Sequence, residues 1–400
     1  MTAEASPSAR PLSATSAAFP ILLALSASHF LNDLIQSLLP SVYPILKDEL
    51  SLTFAQVGAI TLVFQGTASI LQPVVGVMTD RKAQPYSLAF GMSCSLAGLL
   101  LLAFAHVYAL VLLAAAIIGT GSSIFHPEAS RVARSASGGR YGLAQSIFQV
   151  GGNTGQAVGP LLAALIIVPF GQGAIAWFAV AALIGFALLT WVGRWYSAHL
   201  GAARKAAATP PPLSRNQWIA IAILLTLVFS KSFYMASLQS FYTFYLIQRF
   251  GLSIADSQVY LFVFMAAIAA GTLAGGPIGD RFGRQFILWV SIVGVLPFTL
   301  ALPYAGFSMT VVLTAIIGFV MGCSFPAIMV YAQELAPGRV GTVGGLFFGF
   351  SFGMGGLGAA ALGLLADWTS LEFVYRVCSF LPALGLLLWF MPAREQLQTS

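Results

Sequence analysis

Apolar runs of about 20 residues, separated by polar breaks of only a few, follow one another along nearly the whole chain. That is the length a helix needs to cross a bilayer. The runs fall near 18–46, 54–78, 85–105, 107–135, 141–169, 173–193, 217–247, 257–279, 285–303, 307–335, 340–365 and 371–391. They predict an all-α membrane protein of 12 transmembrane helices. The Ser/Ala-rich segment 1–17 has no convincing cleavage site, so it reads as a cytoplasmic tail ahead of an uncleaved first span, and 392–400 as a second tail.

Composition sharpens this picture by exclusion. With 58% hydrophobic and 8% charged residues, and a mean hydropathy of +0.89, the chain cannot present a water-facing exterior. The net charge of +6 forms no basic tract, which argues against a nucleic-acid partner. Cys94, Cys323 and Cys378 each lie in apolar stretches and read as small buried hydrophobes. Lys and Arg set the orientation, because short loops rich in them stay in the cytoplasm. With the N-terminus inside, that side receives Arg10, Arg81, Lys82, Arg131, Arg134, Arg140, Arg194, Arg204, Lys205, Arg215, Arg281, Arg284, Arg339 and Arg394, whereas the far side receives Lys47 and Arg249. Both termini are therefore expected in the cytoplasm.

The segment 194–217, with Pro210, Pro211 and Pro212, reads as a linker between a six-helix bundle over 18–193 and another over 218–391. The halves echo each other at a separation of about 200 residues. Gly76, Asp80 and Arg81 correspond to Gly276, Asp280 and Arg281; Ile117, Ile118, Gly119 and Pro127 to Ile316, Ile317, Gly318 and Pro326; Arg140 and Gly142 to Arg339 and Gly341. Duplicated six-helix halves characterise a large class of secondary transporters.

The Gly-x-x-x-Asp-Arg element at the end of the second span of each half resembles the signature of the major facilitator superfamily. The resemblance implies two pseudo-symmetric six-helix bundles. It also implies a conformational latch at Gly76, Asp80, Arg81 and Arg134, repeated at Gly276, Asp280, Arg281 and Arg284, with Asp80 meeting the start of the eleventh span and Arg131 or Arg134. A carboxylate at a helix N-terminus contributes about 0.3–1 kcal/mol, enough to bias an equilibrium without freezing it. Glycines every four residues give smooth helix faces: Gly151, Gly155 and Gly159; Gly271, Gly275 and Gly279; Gly341, Gly345, Gly349 and Gly353. Such faces suit either sliding or static contact.

Ionisable groups inside spans carry the functional expectation, since a charge at mid-membrane costs about 2.5–3.5 kcal/mol on insertion scales. Asp33 and Lys231 both fall roughly 21 Å from their helix starts at 1.5 Å per residue. His29, Asn32, Asp33 and Gln36 share one face of the first span by their i, i+3, i+4, i+7 spacing. The seventh span places Lys231, Tyr234 and Tyr242 on one face, and the fourth carries His126, Pro127, Glu128 and Arg131, the last two spaced to pair. Gln145, Gln149 and Asn153 offer amides along the fifth span. A zinc site from His126 and Glu128 has no HExxH or CxxC to support it, so no metal is expected. An enzyme is not expected either, for want of a nucleophile with its base.

A narrower resemblance covers nearly the whole membrane region. His29 to Ser37, Phe125 to Arg134 with Gly151-Gly152-Asn153, Phe229 to Ser237 and Tyr331 to Arg339 resemble the fosmidomycin-resistance branch of that superfamily. The resemblance implies a proton-coupled antiporter of the bacterial inner membrane, exporting a small polar or anionic drug such as a phosphonate by alternating access. Its partners would be protons, substrate and lipid; it would work as a monomer and use the proton gradient with no cofactor. In that reading Asp33, Glu128, His126 and His29 couple protons, while Asn32, Gln36, Lys231, Tyr234, Arg131, Gln145, Gln149, Asn153 and Tyr242 meet the substrate. Gly155 to Ala164 resembles the antiporter element of the superfamily, with alanines where its last glycines stand. That departure leaves proton-coupled import of a small anion as the alternative.

Overall fold

The computed structural model describes residues 17–81, 84–199, 212–336 and 340–392. Among these, twelve passes are present. Eleven are long and apolar enough to span a membrane, and the twelfth, Ser87–Ala103, is a shorter apolar helix. We number them α1 (Phe19–Ser41, continued by Tyr43–Glu49), α2 (Phe54–Arg81), α3 (Ser87–Ala103), α4 (Tyr108–Ala136), α5 (Tyr141–Leu162, prolonged to Phe170), α6 (Ala179–His199), α7 (Arg215–Phe250), α8 (Ile254–Phe282), α9 (Gln285–Tyr304), α10 (Phe307–Gly322 and Ser324–Leu335), α11 (Val340–Trp368) and α12 (Leu371–Cys378, closed by Leu381–Phe390). α6 and α7 both run into the stretch expected to be linker, because apolar runs continue helically until a polar cap stops them. The N-cap of α7 is Ser214, which forms a reciprocal capping box with Gln217.

Caps in the sequence set several other boundaries. Thr53 and Gln56 exchange side-chain and backbone bonds at the start of α2. Gly251 ends α7 with φ 68°, a left-handed conformation that favours glycine. Ser370 accepts from the Phe373 N–H to begin α12. Downstream of Pro160, α5 widens into a π turn at Ala163–Ile167, a local answer to the proline-bearing stretch where a bend is expected.

Within the first half, α1 packs on α5 and α6, α3 on α4 and α6, and α2 on α4; within the second, α8 packs on α10 and α7 on α11 and α12. The halves meet through α2 against α11 and α5 against α8. Glycine decides how close these helices come. A Cβ at Gly151 would lie 2.0 Å from the Ser26 carbonyl oxygen and one at Gly155 2.1 Å from that of Phe30, so the α5 stripe is pressed on α1 inside its own bundle. Gly271 and Gly275 of α8 abut the Phe319 and Cys323 carbonyls of α10 in the same way. These two stripes are static seams, whereas α11 presents its glycines to the other bundle.

That cross-bundle contact is uneven along its length. At the end away from the chain termini, a Cβ at Gly58 would stand 2.3 Å from the Ala359 oxygen, and one at Gly363 2.3 Å from that of Phe54. Asp367 closes α11 there, its carboxylate accepting from the Phe54 and Ala55 N–H groups at 2.9 and 2.7 Å. The Gln258 amide donates to the Ser41 carbonyl at 2.7 Å. Tyr43, Thr61 and Ser240 link hydroxyls across the same end at 2.7 and 3.3 Å. The apolar core there is continuous between the bundles. Midway, the Ser69 hydroxyl donates to the Gly349 carbonyl at 2.6 Å. One turn nearer the termini, a Cβ at Gly345 would meet nothing within 4 Å, and the second half keeps a separate core there.

The anticipated latch sits at that looser end. The side chains of Asp80, Arg81, Asp280 and Arg284, and the surroundings of Gly76 and Gly276, lie outside the described residues; Arg281 is exposed, its guanidinium 5.3 Å from the Phe282 ring, and Arg134 is exposed at the end of α4. The tails 1–16 and 393–400 and the linker core 200–211 are likewise outside the description.

Candidate functional site

Asp33 occupies the middle of α1 with two imidazoles facing its carboxylate. His29 Nε2 lies 3.4 Å from Oδ2, one turn earlier on the same helix, and His126 Nε2 lies 3.6 Å from Oδ1, reaching across from α4. The Asn32 amide donates to Oδ1 at 3.1 Å. The Asp33 side chain is 12% exposed and that of His126 15%, whereas His29 is sealed at 1%.

Each imidazole is fixed from behind. His29 Nδ1 donates to the Phe148 carbonyl at 2.8 Å, and its ring stacks on Phe148 with centroids 4.0 Å apart. His126 Nδ1 donates to the Ser122 carbonyl of its own helix at 3.0 Å. The Ser122 hydroxyl donates to Gln36 Oε1 at 3.1 Å, and Ser95 of α3 approaches Asn32 Oδ1 at 3.4 Å. The polar face of α1 is thus joined to α3, α4 and α5. Pro127, following His126, removes the amide that would bond the Ser123 carbonyl, so α4 is weakened beside the imidazole. Gly152, which no helical spacing marks, completes the arrangement: it stands against the His29 ring where any larger residue would intrude.

The second bundle closes over this cluster through α11. Phe352 packs on His126 with ring centroids 5.8 Å apart, and the preceding Ser351 shares a hydroxyl contact of 3.0 Å with Ser232 of α7. Lys231, the neighbour of Ser232 on α7, is half-buried. Two residues beyond His126, Glu128 is buried at 1% and pairs with Arg131 at 3.2 Å, as their spacing predicts.

The remaining expected substrate residues divide. Among the described residues, the amide nitrogens of Gln36 and Asn153 and the Tyr234 hydroxyl are buried without a hydrogen-bond partner. Gln149 is half-buried, and the Gln145 side chain lies outside the described residues. Tyr234 and Tyr242 are 1% and 0% exposed within the second bundle, and the Tyr242 hydroxyl bonds Thr314 of α10 at 3.0 Å. Helical spacing puts them on the face of Lys231, and both are enclosed in this arrangement, as His29 and Asn32 are in the first bundle.

Among the described residues, His29, Asp33 and His126 form a group whose ligand atoms all lie within 4.8 Å of one another, a donor set a small cation can bridge. Glu128, the partner considered for His126 from sequence, turns to Arg131 instead.

The model of the Major Facilitator Superfamily matches residues 25–359. The chain belongs to that superfamily. It is a multi-pass membrane transporter of the facilitator fold. It is 60% identical over 377 residues to the fosmidomycin resistance protein of Escherichia coli (strain K12), covering 94% of this chain and 93% of that one. It is 41% identical over 386 residues to an uncharacterized MFS-type transporter, YfnC, of Bacillus subtilis (strain 168), covering 95% and 94%. A bacterial homolog of the human lysosomal transporter Spinster, crystallised in an inward-facing and occupied conformation, superposes with a TM-score of 0.69 at 16% identity, over 93% of this transporter and 94% of that chain.

Proposed function

We propose that this transporter exports a small polar or anionic drug of the phosphonate kind in exchange for protons, across the bacterial inner membrane, with both termini in the cytoplasm. The observation that carries the reading is Asp33, a mid-span carboxylate held between two imidazoles at the seam of the bundles. Likeness over nearly the full chain to a protein named for fosmidomycin resistance supports the substrate class.

In this reading the looser end of the α2–α11 contact faces the cytoplasm. Substrate enters there, drawn by Lys231 and held by the Gln36 and Asn153 amides; oxygen-rich anions suit charge-assisted donors. Closing that end and opening the other delivers the substrate outward. Protons from outside then occupy Asp33 or Glu128 and expel it. Because protonation changes the interaction energy of one state more than the other, it supplies the differential that a population shift requires. The transporter works as a monomer on the proton gradient alone, with no cofactor or metal, and catalyses no bond chemistry.

The test is drug flux into proteoliposomes driven by an imposed pH gradient. Asp33→Asn and Glu128→Gln are expected to uncouple drug movement from the gradient, and full coupling in both defeats the assignment. Flux with the proton gradient rather than against it favours import of an anion.

A further inference from the structure

Thr61, Gln65, Ala68 and Gln72 recur along α2 at i, i+4, i+7 and i+11, which makes them one stripe of that helix. The direction of the stripe is fixed at its first residue. The Thr61 hydroxyl meets Tyr43 at the end of α1 and Ser240 of α7, at 2.7 and 3.3 Å, so the stripe faces α1 and α7. Heights follow from the same hydroxyl chain. Asp33 lies 10 residues before Tyr43, Lys231 nine before Ser240 and Gln72 11 beyond Thr61. At 1.5 Å per residue all three stand roughly 14–17 Å from the chain toward the looser end, which puts Gln72 level with both charged groups.

The polar groups that shape and pack α2 are bonded. Thr53 and Gln56 cap the helix, Thr61 shares its hydroxyl, and Ser69 donates to the Gly349 carbonyl. The two glutamines of the stripe differ. Gln72 is 5% exposed, and its amide nitrogen is buried without a hydrogen-bond partner among the described residues. Two turns away the Gln65 amide oxygen is buried in the same condition, close to Gly355 of α11. A hydrogen bond left unmade in a buried place is costly, and helix packing alone does not offset it.

We infer that Gln72 and Gln65 bind the substrate, and that the exported molecule has two ends: an oxyanion held by Gln72, Gln36 and Lys231, and a neutral O–H or N–H donor received by Gln65 nearer the tighter end. The inference rests on the drug-export reading above and adds a second group to its substrate class. An oxyanion accepts only, which suits the amide nitrogens of Gln72 and Gln36, both unpartnered. The Gln65 oxygen needs the opposite partner. Seven residues separate the two glutamines, about 10 Å along the helix. A bare phosphate reaches one of them, whereas a short-chain phosphonate with a hydroxyl or hydroxamate at its far end reaches both.

Binding of fosmidomycin to the purified full chain tests this, with the O-methyl ether of its hydroxamate as a second probe. The ether keeps the phosphonate and removes the hydroxyl donor. The wild type is expected to bind it about twofold to tenfold more weakly than the drug, the scale of one neutral hydrogen bond. Gln65→Met should lower affinity for the drug by the same factor and leave that for the ether unchanged. Gln72→Met should weaken both probes alike, by roughly tenfold or more, the scale of a hydrogen bond to a charged group. A packing role for either residue gives equal losses for both probes in Gln65→Met, or none in Gln72→Met, and each of these results overturns the inference. Gln65→Ser withdraws the amide, and Gln72→Glu turns an acceptor of the same shape toward the oxyanion. They read the same contacts, with the same expected losses or greater, where a methionine variant does not fold. A wild type that binds both probes equally overturns the two-ended site and leaves drug export standing. A wild type that binds neither removes the drug reading itself, and the inference with it.

Discussion

Gly152 lies so close to His29 that a Cβ at this position would stand 2.3 Å from Nε2 and 2.4 Å from the carbon between the ring nitrogens. The glycine of α5 therefore forms one wall of the pocket that aims the imidazole at Asp33, 3.4 Å away. Gly152→Ala is expected to force the ring off the Phe148 carbonyl, forfeiting a buried hydrogen bond of about 0.5–1.5 kcal/mol and, with it, the alignment to Asp33. Drug transport should fall roughly tenfold or more. Expression and melting temperature close to wild type, alongside normal transport, would show that the ring has another place to go.

Gly58 and Gly345 make a matched pair, one on each helix of the α2–α11 contact. Gly58→Ala drives a methyl group into the Ala359 carbonyl, an overpacking of about 1–3 kcal/mol against the arrangement described here. Gly345→Leu meets open space and should leave this arrangement intact. If transport requires the looser end to close, Gly345→Leu will fold normally and move little drug. Thermal melts with flux assays separate the two effects.

Asp367 holds the first two free N–H groups of α2 from the opposite bundle. Asp367→Ala removes both acceptors and should shift the population toward opening at that end by roughly twofold to fivefold, the range of a carboxylate at a helix N-terminus. Cysteines introduced near Thr61 and Ser240 should then label faster from the outside. Unchanged labelling rates would mean that the Tyr43–Thr61–Ser240 hydroxyls and the apolar core hold the end without it.

Lys231 tests the anion. Lys231→Met is expected to raise KM for a phosphonate drug by roughly tenfold, the scale of a lost hydrogen bond to a charged group, with a smaller effect for Lys231→Arg. Equal KM values for both variants and the wild type would place the anion elsewhere.

The sequence makes the spans legible because twenty apolar residues have few other uses, and it makes α1 legible as a polar face because His29, Asn32, Asp33 and Gln36 keep helical spacing. The triad is not legible in this way. His126 lies 93 positions beyond Asp33, and only the packing of α4 on α1 brings it to 3.6 Å. Glycine repeats announce close helix contacts without naming the partner: those of α5 and α8 prove to be internal seams, and only that of α11 crosses between bundles. Tyr234 and Tyr242 are a different case. Spacing assigns them to the face of Lys231, and what only the structure adds is their enclosure, with Thr314 as the hydroxyl partner of Tyr242. Asp367 carries no such signal, because one acid at the end of an apolar helix is indistinguishable in sequence from any loop boundary until α2 is packed beneath it.

The uneven seam between α2 and α11 implies that mutational tolerance is a property of position along one helix rather than of residue type. A methyl group added by Gly58 or Gly363 collides now; one added at Gly345 collides only after the molecule has rocked. A binder that traps either extreme would therefore invert the pattern of permitted substitutions on the same glycine ladder, and the site of that inversion would mark the fulcrum, near Ser69 and Gly349.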